Sequence, residues 1–176
     1  MARAEELRAL EPASGAVISD CGLYRYRLWR RWGAGPTCVF IMLNPSTADA
    51  KQDDPTIRRC IGFAKREGCG GLVVANLFAY RATSPKDMKA ASDPVGPKND
   101  EHLRWCADLA TGPVIAGWGT HGSFMGRAAV VRRMLSGRIS HLGLTAAGEP
   151  RHPLYLKGDA ILRALAAEKE GESDAP

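Results

Sequence analysis

The sequence predicts an α/β fold, a three-layer sandwich with a four-stranded parallel sheet and an N-terminal β-hairpin. Three observations predict it. Short, continuous apolar runs recur along the chain, as strands buried on both faces require. Helical segments separate those runs, the rhythm of a doubly wound sheet. Ahead of them, residues 23–32 alternate with period two, the signature of a strand.

The first ten residues read as a short helix or a frayed arm. In residues 23–32, Tyr24, Tyr26 and Leu28 fall on one face, and Arg25, Arg27 and Arg31 fall on the other with Trp29. Gly33-Ala34-Gly35-Pro36 turns the chain into a second strand at 37–43, and the two strands together read as the hairpin. A helix begins at Asp54-Pro55, with Asp54 as N-cap and Pro55 at the first helical position, and stops at Gly68. Residues 72–78 form the next strand. After a loop broken by Pro85, Pro94 and Pro97 comes a second helix at 98–110. A third strand at 114–117, a third helix at 124–135 capped by Ser123, a fourth strand at 139–144 and a final helix at 158–169 complete the series. No internal repeat or domain boundary interrupts the 176 residues. One domain is expected, with its core at about 20–167 and an acidic tail at 168–176.

Composition narrows the function classes. Apolar residues make up 45% and charged residues 24%, ordinary for a globular protein. The longest apolar run, at 38–43, is far too short to span a bilayer. Residues 1–10 carry two Arg and two Glu, which no signal peptide's apolar segment tolerates, so a cytoplasmic location without membrane contact is expected. Five cysteines, odd in number and without a C-x-x-C pair, read as free thiols. His102, His121, His141 and His152 have no metal-ligand spacing, so no metal is expected.

Net charge is +5, and its placement matters more than its size. The tail holds four acids and one Lys, which leaves +8 on the rest of the chain. Residues 119–148 contain no Asp or Glu yet include Arg127, Arg132, Arg133 and Arg138. Such a block is either a solvated helix face or the footprint of a phosphate-bearing partner.

In open α/β sheets, ligands bind beyond the carboxyl ends of the strands. Those ends here carry Asn44-Pro45-Ser46-Thr47, Asn76-Leu77-Phe78, Trp118-Gly119-Thr120-His121 and the loop 148–153, and they are expected to converge on one cleft. Asn44 either caps a turn or holds a water. Asp49, Asp53 and Asp54 follow it; one serves as N-cap, and any can act as a base if the loop folds over the cleft. Asn76 interrupts an apolar strand and is costly to bury unpaired, so it bonds local backbone or offers donor and acceptor to a nucleobase edge. Phe78 and Tyr80 are core residues or stacking surfaces. Residues 117–122 match G-x-G-x-x-G between a strand and a helix, but no acidic residue follows at the spacing a ribose needs. His152, in the last loop beside Arg151, is structural or stabilises an anionic leaving group. Leu154 and Tyr155 are ordinary packing or an apolar wedge for a base stack.

Taken in order, Leu-Asn44-Pro45-Ser, Val-Val-Ala-Asn76-Leu-Phe, Gly-Trp118-Gly119 and His152-Pro153-Leu-Tyr resemble the motifs of the uracil-DNA glycosylase superfamily. The chain more closely resembles a bacterial and phage family known as domain of unknown function 1643. It shares that family's Leu-Asn-Pro-Ser-Thr-Ala-Asp, Asn-Leu-Phe-Ala-Tyr-Arg and His-Pro-Leu-Tyr segments across most of residues 20–160. The glycosylase resemblance departs at Asn44, where the most active members carry a carboxylate, and at Leu154-Tyr155, where Ser-Pro is usual.

That resemblance implies a monofunctional DNA glycosylase that flips an aberrant base into the cleft and needs no metal or cofactor. Asn44, assisted by Asp49, would place the attacking water, and His152 would stabilise the departing base. Asn76, Phe78, Tyr80, Pro45 and Ser46 would hold the base. Trp118, Gly119, Thr120, His121, Arg127, Arg132, Arg151, Leu154 and Tyr155 would meet single- or double-stranded DNA. Three alternatives stand beside it: a hydrolase or binder of free nucleosides or nucleotides, a nucleic-acid-binding module without catalysis, and a dinucleotide enzyme using residues 117–122. None requires an obligate protein partner.

Overall fold

The computed structural model describes residues 13–167; the expected N-terminal arm and the acidic tail lie outside them. In chain order the elements are β1 (Ser14–Ile18), β2 (Arg25–Arg31), β3 (Thr37–Met42), α1 (Pro55–Arg66), β4 (Gly71–Asn76), α2 (Pro85–Ala90), α3 (Asn99–Leu109), β5 (Val114–Ala116), α4 (Arg127–Met134), β6 (Ile139–His141) and β7 (Arg163–Ala164). Two 3-10 segments, Thr120–Gly126 and Pro153–Tyr155, fall in the connections.

The fold is mixed α/β, and all seven strands join one sheet in the order β1-β2-β4-β3-β5-β6-β7. Every residue of β3 and β4 is buried, as their uninterrupted apolar runs require. Cys38, Phe40, Leu72 and Val74 face Ile57, Cys60 and Phe63 of α1, while Val39, Ile41, Val73 and Ala75 face Leu103 and Cys106 of α3 and Val131 of α4. Helices therefore cover both faces. The α1 start is the one read from sequence: Asp54 Oδ1 accepts from Ile57 N at 2.8 Å and Pro55 opens the helix, a cap worth about 1 kcal/mol.

Four expectations are corrected. The sheet is seven-stranded and mixed, not a four-stranded parallel sheet; β4, β3, β5 and β6 are mutually parallel, but β2 pairs antiparallel with β4, β1 antiparallel with β2, and β7 antiparallel with β6. Nor do β2 and β3 form a hairpin. Val74 of β4 pairs with Leu28 on one side and Phe40 on the other, so β4 lies between them. Alternation specifies a strand but not its neighbour, and the hairpin partner of β2 is β1, a strand that the sequence pattern does not predict.

The expected final helix is absent from the described part of its span. Residues 163–164 instead pair with Ser140 and His141 at the sheet edge, and Leu165 packs into the core. Capping the open edge of β6 outweighs the helix propensity of these residues. The third helix starts at Arg127, not at 124, because Phe124 and Met125 leave helical geometry; Ser123 Oγ donates to Thr120 O instead of capping. The proline-broken loop contains the short helix α2, whose N-cap Ser84 accepts from Asp87 N. Among the described residues no helix is long and apolar enough to cross a membrane.

Candidate active site

Strand order reverses around β3: the chain crosses through α1 to β4 on one side, then through α3 to β5 on the other. Crevices form beyond the carboxyl ends of strands at such a point. A cavity of about 510 Å³ opens there, within the size range of small-molecule sites. Asn44 and Ser46 line it after β3, and Asn76 lines it at the end of β4. Trp118, Gly119, Thr120 and His121 contribute after β5; Arg151, His152, Leu154 and Tyr155 contribute after β6.

Asn76 pairs in register with Met42 and is 1% exposed, yet its amide Nδ2 has no hydrogen-bond partner. A buried amide without a partner is rare in folded chains and calls for a ligand or water. Its main chain is firmly held, because Asn99 Nδ2 donates to both Asn76 O and Leu77 O at 2.9 Å. Asn44 Nδ2 donates to Pro45 O and Ala82 O, which leaves its amide oxygen as the group available to a water.

His152 Nδ1 accepts from Leu154 N at 3.3 Å. That bond assigns the ring proton of the neutral imidazole to Nε2. Burial pushes the ring below its ordinary pKa, against the opposing pull of Asp54. Arg59 holds this loop against α1 through Pro153 O and Leu156 O. Opposite, Trp118 Nε1 donates to Glu149 Oε2 and Gly119 N donates to Pro150 O, which fastens the β5 loop to the last loop.

The glycines of the G-x-G-x-x-G match serve this packing. A Cβ on Gly122 would stand 2.1 Å from the Trp118 ring, and Gly119 adopts φ +72°, where side chains are disfavoured. Because α4 starts only at Arg127 and a kinked 3-10 segment occupies Thr120–Gly126, no α-helix N-terminus stands at this loop to receive a pyrophosphate, and the dinucleotide reading loses its geometry.

Six expected site residues do not reach the cavity. Asp49 Oδ1 accepts from Lys51 N and Gln52 N, an Asx turn that holds its carboxyl below the usual range. Pro45 is buried beneath its loop. Phe78 is wholly buried against Phe124 as core, not a stacking surface. Tyr80 turns toward Tyr24 and a neighbouring hollow. Arg127, 5% exposed, donates to Leu77 O and pairs with Asp100, so it braces the fold. Arg132 donates to Gly148 O at 3.1 Å. The acid-free block is thus largely spent on internal bonds, since Arg138 also pairs with Asp108.

Two charged lining residues, Asp54 and Arg25, are not among the site residues that the sequence predicts. Asp54 is both helix cap and cavity wall, and its second oxygen takes no hydrogen bond from the described residues. Arg25, placed on a polar strand face, is 2% exposed and lines the cavity. Among the described residues no three His, Cys, Asp or Glu side chains gather as a metal site.

The family described as "Protein of unknown function (DUF1643)" matches residues 25–154. The chain belongs to that family. The DUF1643 match takes in every lining residue of the cavity except Tyr155. No curated protein and no solved structure matches the chain.

Two expected results follow for this DUF1643 chain. Asn76→Leu removes an unsatisfied buried amide, so urea unfolding is expected to show stability unchanged or raised by about 1 kcal/mol. A loss above about 2 kcal/mol would mean that the amide is structurally satisfied. The second concerns acid. Burial pushes His102, His141 and His152 below 6.5, so beneath that pH the unfolded chain binds protons that the folded chain refuses. Stability is full above about pH 6.5 and falls as pH drops toward the folded-state values. The urea midpoint is expected to be lower at pH 5.5 than at pH 8; equal midpoints would refute this.

Proposed function

We propose that this chain is an N-glycosyl hydrolase that takes a nucleobase into the cavity and releases it from its sugar. The observation that carries this reading is the unpartnered, buried amide of Asn76 in a cavity that also contains a carboxylate, Asp54, and a neutral imidazole, His152. The likeness of the four loops to the uracil-DNA glycosylase superfamily agrees with it.

Each group has a part. Asn76 Nδ2 donates to a carbonyl oxygen on the base edge. The Asn44 amide oxygen and the free oxygen of Asp54 hold a water against the anomeric carbon. As the carbon–nitrogen bond breaks, the water oxygen bonds to that carbon and Asp54 takes its proton. His152, a neutral donor through Nε2–H, stabilises the negative charge that develops on the departing base. Base anions are better leaving groups when a donor waits in a dry site, and Trp118 and Ile57 keep this wall apolar. Leu154 and Tyr155, 43% and 74% exposed on the 3-10 turn at the mouth, offer an apolar wedge suited to an unstacked base step.

A free nucleoside or nucleotide is the second reading, favoured by the inward bonding of Arg127, Arg132 and Arg138, which reduces the positive surface left for a duplex. One experiment separates them. Oligonucleotides containing uracil, hypoxanthine or 5-hydroxymethyluracil, single- and double-stranded, are incubated with the protein and scored for alkali-labile sites. A nucleoside panel is followed in parallel by chromatography. Cleavage sites in the oligonucleotides support the polynucleotide reading, and free base from nucleosides alone supports the second. Release from neither panel overturns the hydrolase.

A further inference from the structure

Three arginines are buried among the described residues: Arg25, Arg30 and Arg127. Arg30 pairs with Asp53 at 2.8 Å and Arg127 pairs with Asp100. Arg25 pairs with neither kind of partner. Its Nη1 donates to Ala48 O, its Nε is buried without a hydrogen-bond partner, and no carboxylate of the described residues stands within ion-pair distance. Asp54 and Asp49 attract it from farther away, while Arg81 and Arg30 repel it. Asp54 Oδ1 is already committed to the first turn of α1, and Asp49 Oδ1 to its own turn.

A guanidinium without a carboxylate is expensive to keep out of water, and proteins seldom do so unless something else completes it. Here it lines the same cavity as Asn76, whose Nδ2 is also unmet. Both incomplete groups are donors. The ligand must therefore be rich in acceptors, and the planar fork of an arginine is shaped for two oxygens of one anion.

We propose that Arg25 forms an oxyanion subsite inside the cavity, and that the natural ligand is a nucleobase compound carrying a carboxylate or a terminal phosphate. The proposal rests on the nucleobase reading of the site but not on hydrolysis. A carboxylate would sit on the base itself, a phosphate on the sugar; Arg25 serves either by the same two-oxygen contact. A neutral base fills Asn76 and leaves Arg25 incomplete.

Calorimetric titration of the full chain tests this with two ligand pairs, each differing only by the oxyanion: 5-carboxyuracil against uracil, and deoxyuridine 5′-monophosphate against deoxyuridine. The anionic member of at least one pair is expected to bind about 10–100-fold more tightly, and the pair that responds identifies the source. Arg25→Met, with native circular dichroism, is expected to erase that preference. Arg25→Lys keeps the charge without the fork and serves if the Met variant does not fold; it is expected to bind the anion several-fold more weakly than the native chain. Equal binding within both pairs, no binding of either anion, or a preference untouched by both substitutions overturns the subsite. Binding is read without turnover, so the two readings fail separately. A chain that prefers the anion but releases no base keeps the subsite and loses the hydrolase; one that releases bases without such a preference does the reverse.

Discussion

Asp54→Asn is expected to slow base release by about 10²- to 10⁴-fold, the usual contribution of a general base, while the fold stays within about 1 kcal/mol of native. The substitution separates the two tasks of this residue. Asn caps a helix nearly as well as Asp, so the bond from Ile57 N that starts α1 survives. What disappears is the second carboxylate oxygen, on a side chain that lines the cavity with His152. Asp49→Asn is the control, because that carboxylate is turned onto Lys51 N and Gln52 N and does not line the cavity. Single-turnover release on the best substrate of the panel, with urea unfolding of each variant, provides the comparison. Equal rates for native and Asp54→Asn protein, or a larger loss from Asp49→Asn, would move the base elsewhere.

Arg127→Met is expected to destabilise the fold by about 2–4 kcal/mol without changing how any nucleic-acid affinity depends on salt. The side chain is 5% exposed and bridges two elements: Nε donates to Leu77 O at 2.8 Å, and the guanidinium pairs with Asp100 of α3. Methionine fills part of the volume but leaves Leu77 O with only the Asn99 amide. A residue that met phosphates would behave oppositely, with little effect on folding and a salt slope reduced by about one charge. Urea unfolding and binding isotherms at several salt concentrations distinguish the two outcomes. A stable variant with a shallower slope would restore Arg127 to the nucleic-acid surface.

The local parts of the fold were legible in the sequence; its pairings were not. Asp54-Pro55 marks a helix start because cap chemistry is confined to four residues. The apolar runs of β3 and β4 announce strands buried on both faces because they are too short for a typical helix and rich in Val, Ile and Phe. Neither signal says that β4 separates β2 from β3, since hydrogen bonds between strands carry no residue code. The alanine- and leucine-rich stretch after residue 158 has every helix preference and still yields β7, because the edge of β6 is completed by a strand.

The site divides along the same line. Asn44, Asn76 and His152 line one cavity because strand ends are set by the fold class. Which of three nearby aspartates faces that cavity depends on turn geometry a few ångströms in scale, which spacing does not encode. Arg25 is hidden for a different reason: five of the seven residues of β2 are buried, on both faces of the strand, so its alternation marks no solvent side.

The antiparallel course of β2 has a practical consequence. It brings Arg25 to the end of the sheet where residues 44–57, 76, 118–121 and 145–155 meet, so the cavity wall draws on nearly the whole of the described chain. No fragment retains the pocket, and an occupant should be felt by the unfolding of the entire sheet. Ligand at a hundredfold excess over its dissociation constant would then add about 2.7 kcal/mol to global stability. The melting temperature becomes an assay that requires no substrate to be guessed in advance, and a metabolite library scored by that temperature alone can search for the molecule this pocket was shaped to hold.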